Sequence, residues 1–252
     1  MEVASDIRGW DELIPDTLAL IFTKLSLRER LTMIPMVCKS WASAVYGPYC
    51  WQEIEITDWS TAFTSIGKMS LRTRKSFTFI AKNAGSLRDL RLPRCNMNDY
   101  AITRLTRKLS MISFLDLSYC VKIGSNAIKT IGKNCKQLEV FCWNMHPTYT
   151  WGKPFEDAKA YAIASTMSKL KRLEIVYHLI TNEGVLKIIS SCPKLECLDL
   201  RGCWGVKLDT MSVKQNFPKL MVLRPQVLDS DVDEYNYNDD GMWFYEGRVE
   251  EL

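Results

Sequence analysis

The strongest constraint on this chain is a spacing of apolar residues that repeats along most of its length. The pattern is apolar-x-x-apolar-x-apolar-x-x-Cys. Leu87, Leu90, Leu92 and Cys95 fit it, as do Ile112, Leu115, Leu117 and Cys120. Leu138, Phe141, Trp143 and His146 follow, then Leu170, Leu173, Ile175 and His178, then Leu195, Leu198, Leu200 and Cys203. Leu220 and Leu223 open a further unit, with Pro225 at its last strand position, and Trp51, Ile54 and Ile56 form a divergent early one. First positions recur roughly every 25 residues, with one longer interval of about 32, a period that belongs to solenoids.

A second register runs alongside. Seven residues before each first position stand Ile80, Leu105, Ile131, Ile163, Ile188 and Val213. Three residues before stand Ala84, Leu109, Cys135, Met167, Cys192 and Phe217. A separation of four places each pair on one helical face. Each unit therefore predicts a short strand and a helix whose apolar stripes meet in a core that neighbouring units complete. This regularity predicts leucine-rich repeats. The expected fold is α/β, with about seven strand-helix units over 51–228, a parallel sheet on the concave face and helices outside.

The nine cysteines fall into the same register. Cys95, Cys120 and Cys203 share the position after the strand, where a small side chain can turn inward and satisfy backbone groups. Cys135 and Cys192 share a helix position. Buried free cysteine behaves as a small hydrophobe, and no Cys-x-x-Cys occurs, so no metal and no cofactor are expected. An odd cysteine count, no signal peptide and no apolar run long enough to span a bilayer predict an intracellular protein of cytoplasm or nucleus, with no membrane partner.

Residues 1–50 follow another rule. Pro15 suits a first helical turn, where its missing N–H is not needed, and Asp16 suits the positive end of the helix dipole. Leu18, Ile21, Phe22 and Leu25 then make one apolar face. Ser26 and Glu29 have the spacing of a capping box for a second helix. Leu31, Ile34 and Val37 are its candidate buried positions, broken or kinked at Pro35. Val37, Cys38, Trp41 and Val45 begin a third helix, which Gly47-Pro48 ends. Three short helices bury little core alone. They can cap the open end of the solenoid or dock a partner, and periodicity alone leaves the two readings level.

The stretch Leu13-Ile14-Pro15-Asp16-Thr17-Leu18-Ala19-Leu20-Ile21-Phe22, followed by Val37-Cys38-Lys39-Ser40-Trp41, resembles an F-box. The chain as a whole is similar to short plant F-box/leucine-rich-repeat proteins. Ile14 stands where leucine usually precedes the proline, and Thr17 where an acidic residue is common. The resemblance implies a substrate receptor of a Skp1–cullin–F-box ubiquitin ligase. Its F-box binds a Skp1-like adaptor, and through it a cullin, while its repeats hold a protein substrate for ubiquitylation and degradation. The residues carried over to the adaptor contact are Leu13, Pro15, Leu18, Ile21, Phe22, Leu25, Leu31, Val37 and Trp41.

Side chains alternate along a strand, so Asp89, Arg91, Phe114, Asp116, Arg172, Glu174, Asp199, Arg201 and Arg224 should project from the concave face, a mixed surface suited to a protein or peptide. The long interval carries an insertion with Tyr149, Trp151 and Phe155, either anchors for the recruited partner or a loop tucked onto a neighbouring repeat. The net charge of +4 hides a split, with basic residues gathered in 51–228, densest from Lys68 to Lys108, and acidic ones in 229–252. Solvated helix faces, a surface for an acidic protein or this chain's own tail, and nucleic acid all fit the basic excess. Without a nucleic-acid motif or interleaved stacking aromatics, a nucleic-acid partner is not expected. Met242 to Tyr245, in the tail, can cap the last repeat or act as a short binding motif.

No phosphate loop, nucleophile elbow or metal-ligand spacing occurs, and both histidines sit in repeat positions. The chain is therefore expected to be non-catalytic. Two further classes stay open: a repeat-based binding protein outside any ligase, and a receptor that needs a small molecule.

Overall fold

The computed structural model describes Trp10 and residues 13–56, 85–150 and 152–223. Trp151, Ile80, Ala84, Arg224, Pro225, the tail over 229–252 and most of the basic run from Lys68 lie outside the described residues, as does the side chain of Tyr149.

Seven three-residue strands make one parallel sheet in chain order. They are β1 (Glu53–Glu55), β2 (Asp89–Arg91), β3 (Phe114–Asp116), β4 (Val140–Cys142), β5 (Arg172–Glu174), β6 (Cys197–Asp199) and β7 (Met221–Leu223). The central residues Ile54, Leu90, Leu115, Phe141, Leu173 and Leu198 align across the ladder, and all are buried. This is the register the leucine spacing dictates, because a one-residue slip would turn every inward side chain to solvent.

The last unit departs from it. Leu220 was aligned with Leu195 and Leu223 with Leu198, yet Val222 pairs with Leu198 and Leu223 falls opposite Asp199. Leu220 keeps its buried place, its N–H donating to the Phe217 carbonyl as that of Leu195 donates to Cys192. The turn before β7 is thus one residue shorter.

Among the described residues five helices cover the other side: α5 (Asp99–Thr106), α6 (Ser125–Asn134), α7 (Ala158–Thr166), α8 (Asn182–Ser191) and α9 (Thr210–Asn216). Their inward residues Leu105, Ile131, Ile163, Ile188 and Val213 are buried. Cys135 and Cys192 lie one residue past the ends of α6 and α8, as C-caps rather than within the helices.

The post-strand position works as its side chains suggest. The Cys120 thiol donates to the Leu92 carbonyl at 3.2 Å, the Cys203 thiol to Ile175 at 3.0 Å, and the buried His178 Nε2 lies 2.6 Å from the Trp143 carbonyl. In each case one unit is tied to the strand before it. His146 does not join them. It is half-buried and bonds Thr148 instead, because Pro147 turns the chain into the insertion there.

Burial pushes the His178 pKa down to about 3, so the ring is neutral in the folded chain. An unfolded histidine takes up a proton below about pH 6.5. The unfolded state therefore binds more protons between pH 6.5 and 3, and stability falls as pH drops through that window. At pH 5 the loss is about 2 kcal/mol. His178→Cys keeps a donor of the kind used by the neighbouring units, so it should shrink the difference in urea stability between pH 7 and pH 5. An unchanged difference would reject the assignment.

The N-terminal module holds four helices where three were expected: α1 (Pro15–Phe22), α2 (Leu27–Thr32), α3 (Ile34–Val37) and α4 (Lys39–Val45), followed by a 3-10 turn at Pro48–Trp51. Pro35 explains the extra break. Its ring would clash with the carbonyl four residues earlier, so α2 stops and the chain restarts with proline in a first turn. The capping box at Ser26 forms, the Glu29 N–H donating to Ser26 Oγ at 3.2 Å and the Ser26 N–H to Glu29 Oε2 at 2.8 Å.

The module is joined to the sheet without a slack segment. Trp51 is fully buried, and its Nε1–H donates to the Val45 carbonyl at 2.6 Å. Arg30 lies 5.0 Å over that ring and donates to the Cys50 carbonyl at 2.8 Å. The Gln52 carbonyl accepts the N–H groups of Arg88 and Asp89.

Candidate functional site

Two surfaces are open to a partner. The first is the helical module. Leu18 and Phe22, expected at the adaptor contact, are 0% and 1% exposed and belong to the module's own interior, with the Phe22 and Trp41 rings 5.1 Å apart. Leu13, Leu25 and Trp41 are half-buried against the same core. Pro15 is exposed, and Ile21, Leu31 and Val37 keep apolar surface in solvent. Ile14, Leu20, Met33 and Met36, none of them among the residues expected at the adaptor contact, do so as well; Met36 is 82% exposed. These residues lie on α1 and on the α2–α3 corner, both of which pack with α4. These large apolar side chains left in solvent make the module a candidate contact surface.

The second is the concave sheet face. Arg91 pairs with Asp89 at 2.8 Å, Arg172 with Glu174 at 2.7 Å and Arg201 with Asp199 at 2.7 Å. Asp199 was expected to project to a partner, but it is 1% exposed. Both its carboxylate oxygens are taken up by Arg201, which is what the surface presents. Phe114 is half-buried under the Arg91 guanidinium, 4.1 Å from its ring.

Asp116 accepts the Ser118 N–H at 2.8 Å. Burial raises its pKa against that bond, and the Glu174 charge adds to the rise. Glu174 goes the other way: burial opposes its charge, but hydrogen bonds from Asn144 and Arg172 outweigh it and lower its pKa.

The insertion opens with a 3-10 turn at Pro147–Thr150 and is pinned at its far end to the next unit. Glu156 N–H donates to the Leu179 carbonyl at 2.8 Å, and Asp157 accepts the Thr181 N–H at 2.9 Å and its hydroxyl. Phe155 fills the space that a side chain at Gly205 would need, yet stays 51% exposed. It is both tucked onto a later unit and open to solvent. A cleft of about 140 Å3 lies behind it, between Lys153, Pro154, Glu156, Lys159 and His178. That is well short of the several hundred Å3 typical of small-molecule sites. Among the described residues no helix is long and apolar enough to cross a membrane.

The fold is that of a small helical module continuous with a leucine-rich-repeat solenoid. No family model matches the chain. It is 50% identical over 249 residues to F-box protein FBW2 of Arabidopsis thaliana, covering 90% of this chain and 78% of that one. It is 29% identical to putative F-box/LRR-repeat protein 22 of the same plant, over 91% of this chain and 80% of that one. To F-box protein SKIP19, also of Arabidopsis thaliana, it is 28% identical over 95% of this chain and 87% of that one. The chain belongs to the F-box/leucine-rich-repeat proteins, F-box proteins of the general SCF type. Names of this kind fit a non-enzyme.

Proposed function

We propose that this chain is the substrate-recognition subunit of an SCF-type ubiquitin ligase. The helical module docks a Skp1-like adaptor, and through it a cullin. The repeats hold a protein substrate on the concave face, at Arg91, Phe114, Asp116, Arg172, Glu174 and Arg201, and at the insertion. The chain supplies proximity, turning a bimolecular encounter between substrate and charged conjugating enzyme into an intramolecular one. It contributes no catalytic group.

The observation that carries this reading is the apolar surface left open on α1 and at the α2–α3 corner. The module spends Leu18 and Phe22 on its own core and still presents Met36, Met33, Leu20 and Ile14 to water. A cap for the solenoid would turn those side chains inward.

The test is binding of a purified Skp1-like adaptor to the full chain by calorimetry. A one-to-one complex with submicromolar affinity is expected. Failure to bind would overturn the ligase reading and leave a repeat protein that binds its partner outside any ligase.

A further inference from the structure

The substrate side of the molecule carries a charge contrast. The helix side of the solenoid exposes Arg104, Lys129, Lys133, Lys187 and Lys214. The outward strand positions are the reverse. Glu53, Glu55, Asp89, Asp116 and Glu174 stand there, with Asp199 buried beneath Arg201, and the cations among them are committed. Arg91, Arg172 and Arg201 each pair with a carboxylate of their own unit.

Among the described residues Glu55 and Asp116 have no such partner of their own. They flank Arg91 in one row across β1, β2 and β3. The charges of Asp89, Glu55 and Asp116 all act on Arg91 and raise its pKa. One guanidinium, held by Asp89 and laid over Phe114, therefore faces three carboxylates. In the neighbouring row, between Asp89 and the Glu174-paired Arg172, stand two half-buried apolar residues, Phe114 on β3 and Val140 on β4.

Resting on the reading of the repeats as the substrate-binding part, we propose that the concave face takes an extended, lysine- or arginine-bearing segment of the partner protein. Its cations face Glu55 and Asp116, and an apolar side chain rests on Phe114 and Val140. Spacing makes this specific. Strands lie about 4.8 Å apart, so Glu55 and Asp116 are roughly 10 Å apart along the row. An extended segment of polyproline-II form rises about 3.1 Å per residue with about three residues per turn, so cations three residues apart lie on one side of it and roughly 9 Å from each other. A segment of that charge is repelled by the helix side and drawn to the sheet, so the field selects the face before any contact forms. An acidic segment meets the opposite arrangement.

The experiment uses the full chain and a dye-labelled 12-residue peptide with lysine at every third position in a leucine–serine background. Its counterpart carries glutamate at those positions. Fluorescence anisotropy should show the lysine peptide binding in the micromolar range and the glutamate peptide not binding. Glu55→Gln with Asp116→Asn should weaken the lysine peptide by about tenfold or more, while Glu183→Gln on the helix side leaves it unchanged. Equal binding to the double variant, stronger binding of the glutamate peptide, or no binding of the lysine peptide would each overturn the proposal. Adaptor binding measured on the same samples separates the two readings. If it persists while the peptide result fails, the charge assignment is lost and the ligase reading stands.

Discussion

Met36→Asp combined with Val37→Asp is expected to cut adaptor affinity by at least about a hundredfold while leaving the thermal midpoint of the chain in place. Both side chains are largely in solvent, 82% and 57% exposed. Surface substitutions of this kind usually shift stability by only about 0.5 kcal/mol. In a docked complex the same positions lose water. Each aspartate would then bury an unpaired carboxylate, and apolar anchors at interface centres commonly carry about 2 kcal/mol or more apiece. Leu18→Ala with Phe22→Ala should behave differently. Those residues are interior, and truncating each costs roughly 2–5 kcal/mol, enough to unfold a module this small. Adaptor affinity and a melting curve on both variants distinguish the cases. Unchanged affinity of the aspartate variant would remove the α2–α3 corner from the interface.

Trp51→Ala should be the most destabilising single change in the chain, by about 3–5 kcal/mol in urea unfolding. The indole has no exposed surface, donates to Val45 and lies beneath the Arg30 guanidinium. Truncation would leave a cavity, an unpaired Val45 carbonyl and a buried cation without its aromatic partner. Trp51→Phe keeps most of the packing and loses the N–H, so it should cost about 1–2 kcal/mol. A loss below about 1 kcal/mol for the alanine variant would show that the module and the sheet fold independently of this contact.

The repeats were legible because each strand position is constrained twice, by its own unit and by the next. Leu90, Leu115, Phe141, Leu173 and Leu198 align as the spacing requires. Leu223 failed that test because β7 has no following strand among the described residues to hold its register. In the helical module, apolar period three-and-four placed α1 and the capped start of α2, missed the separate α3, and misread which faces are inward. Both sides of α1 are apolar, Leu18 and Phe22 inward and Ile14, Leu20 and Ile21 outward, so a hydrophobic stripe could not say which one waits for a partner. Met36 gave no signal at all, since a methionine after a proline in a short helix fits a core equally well. Asp199 was misjudged for a different reason. Alternation assigns it to the open face, but the arginine two residues on folds back over it, a local pairing that strand geometry does not reveal.

The junction around Trp51 has a bearing on which lysines a ligase of this kind can modify. From Val45 to Ile54 the chain is tied at each step, by the indole to Val45, by Arg30 to Cys50, and by the Gln52 carbonyl to the second strand. In the proposed ligase the module and the sheet would act as one stiff arm with its shoulder at the adaptor. A cargo gripped on the sheet would be carried at a set radius and bearing from the conjugating enzyme. Its lysines would then be chosen by where they fall on that arc, whatever their local sequence. Lengthening the arm by one repeat would advance the grip by about 4.8 Å, the spacing of one strand. The modified lysine would change while the strength of the grip stayed the same.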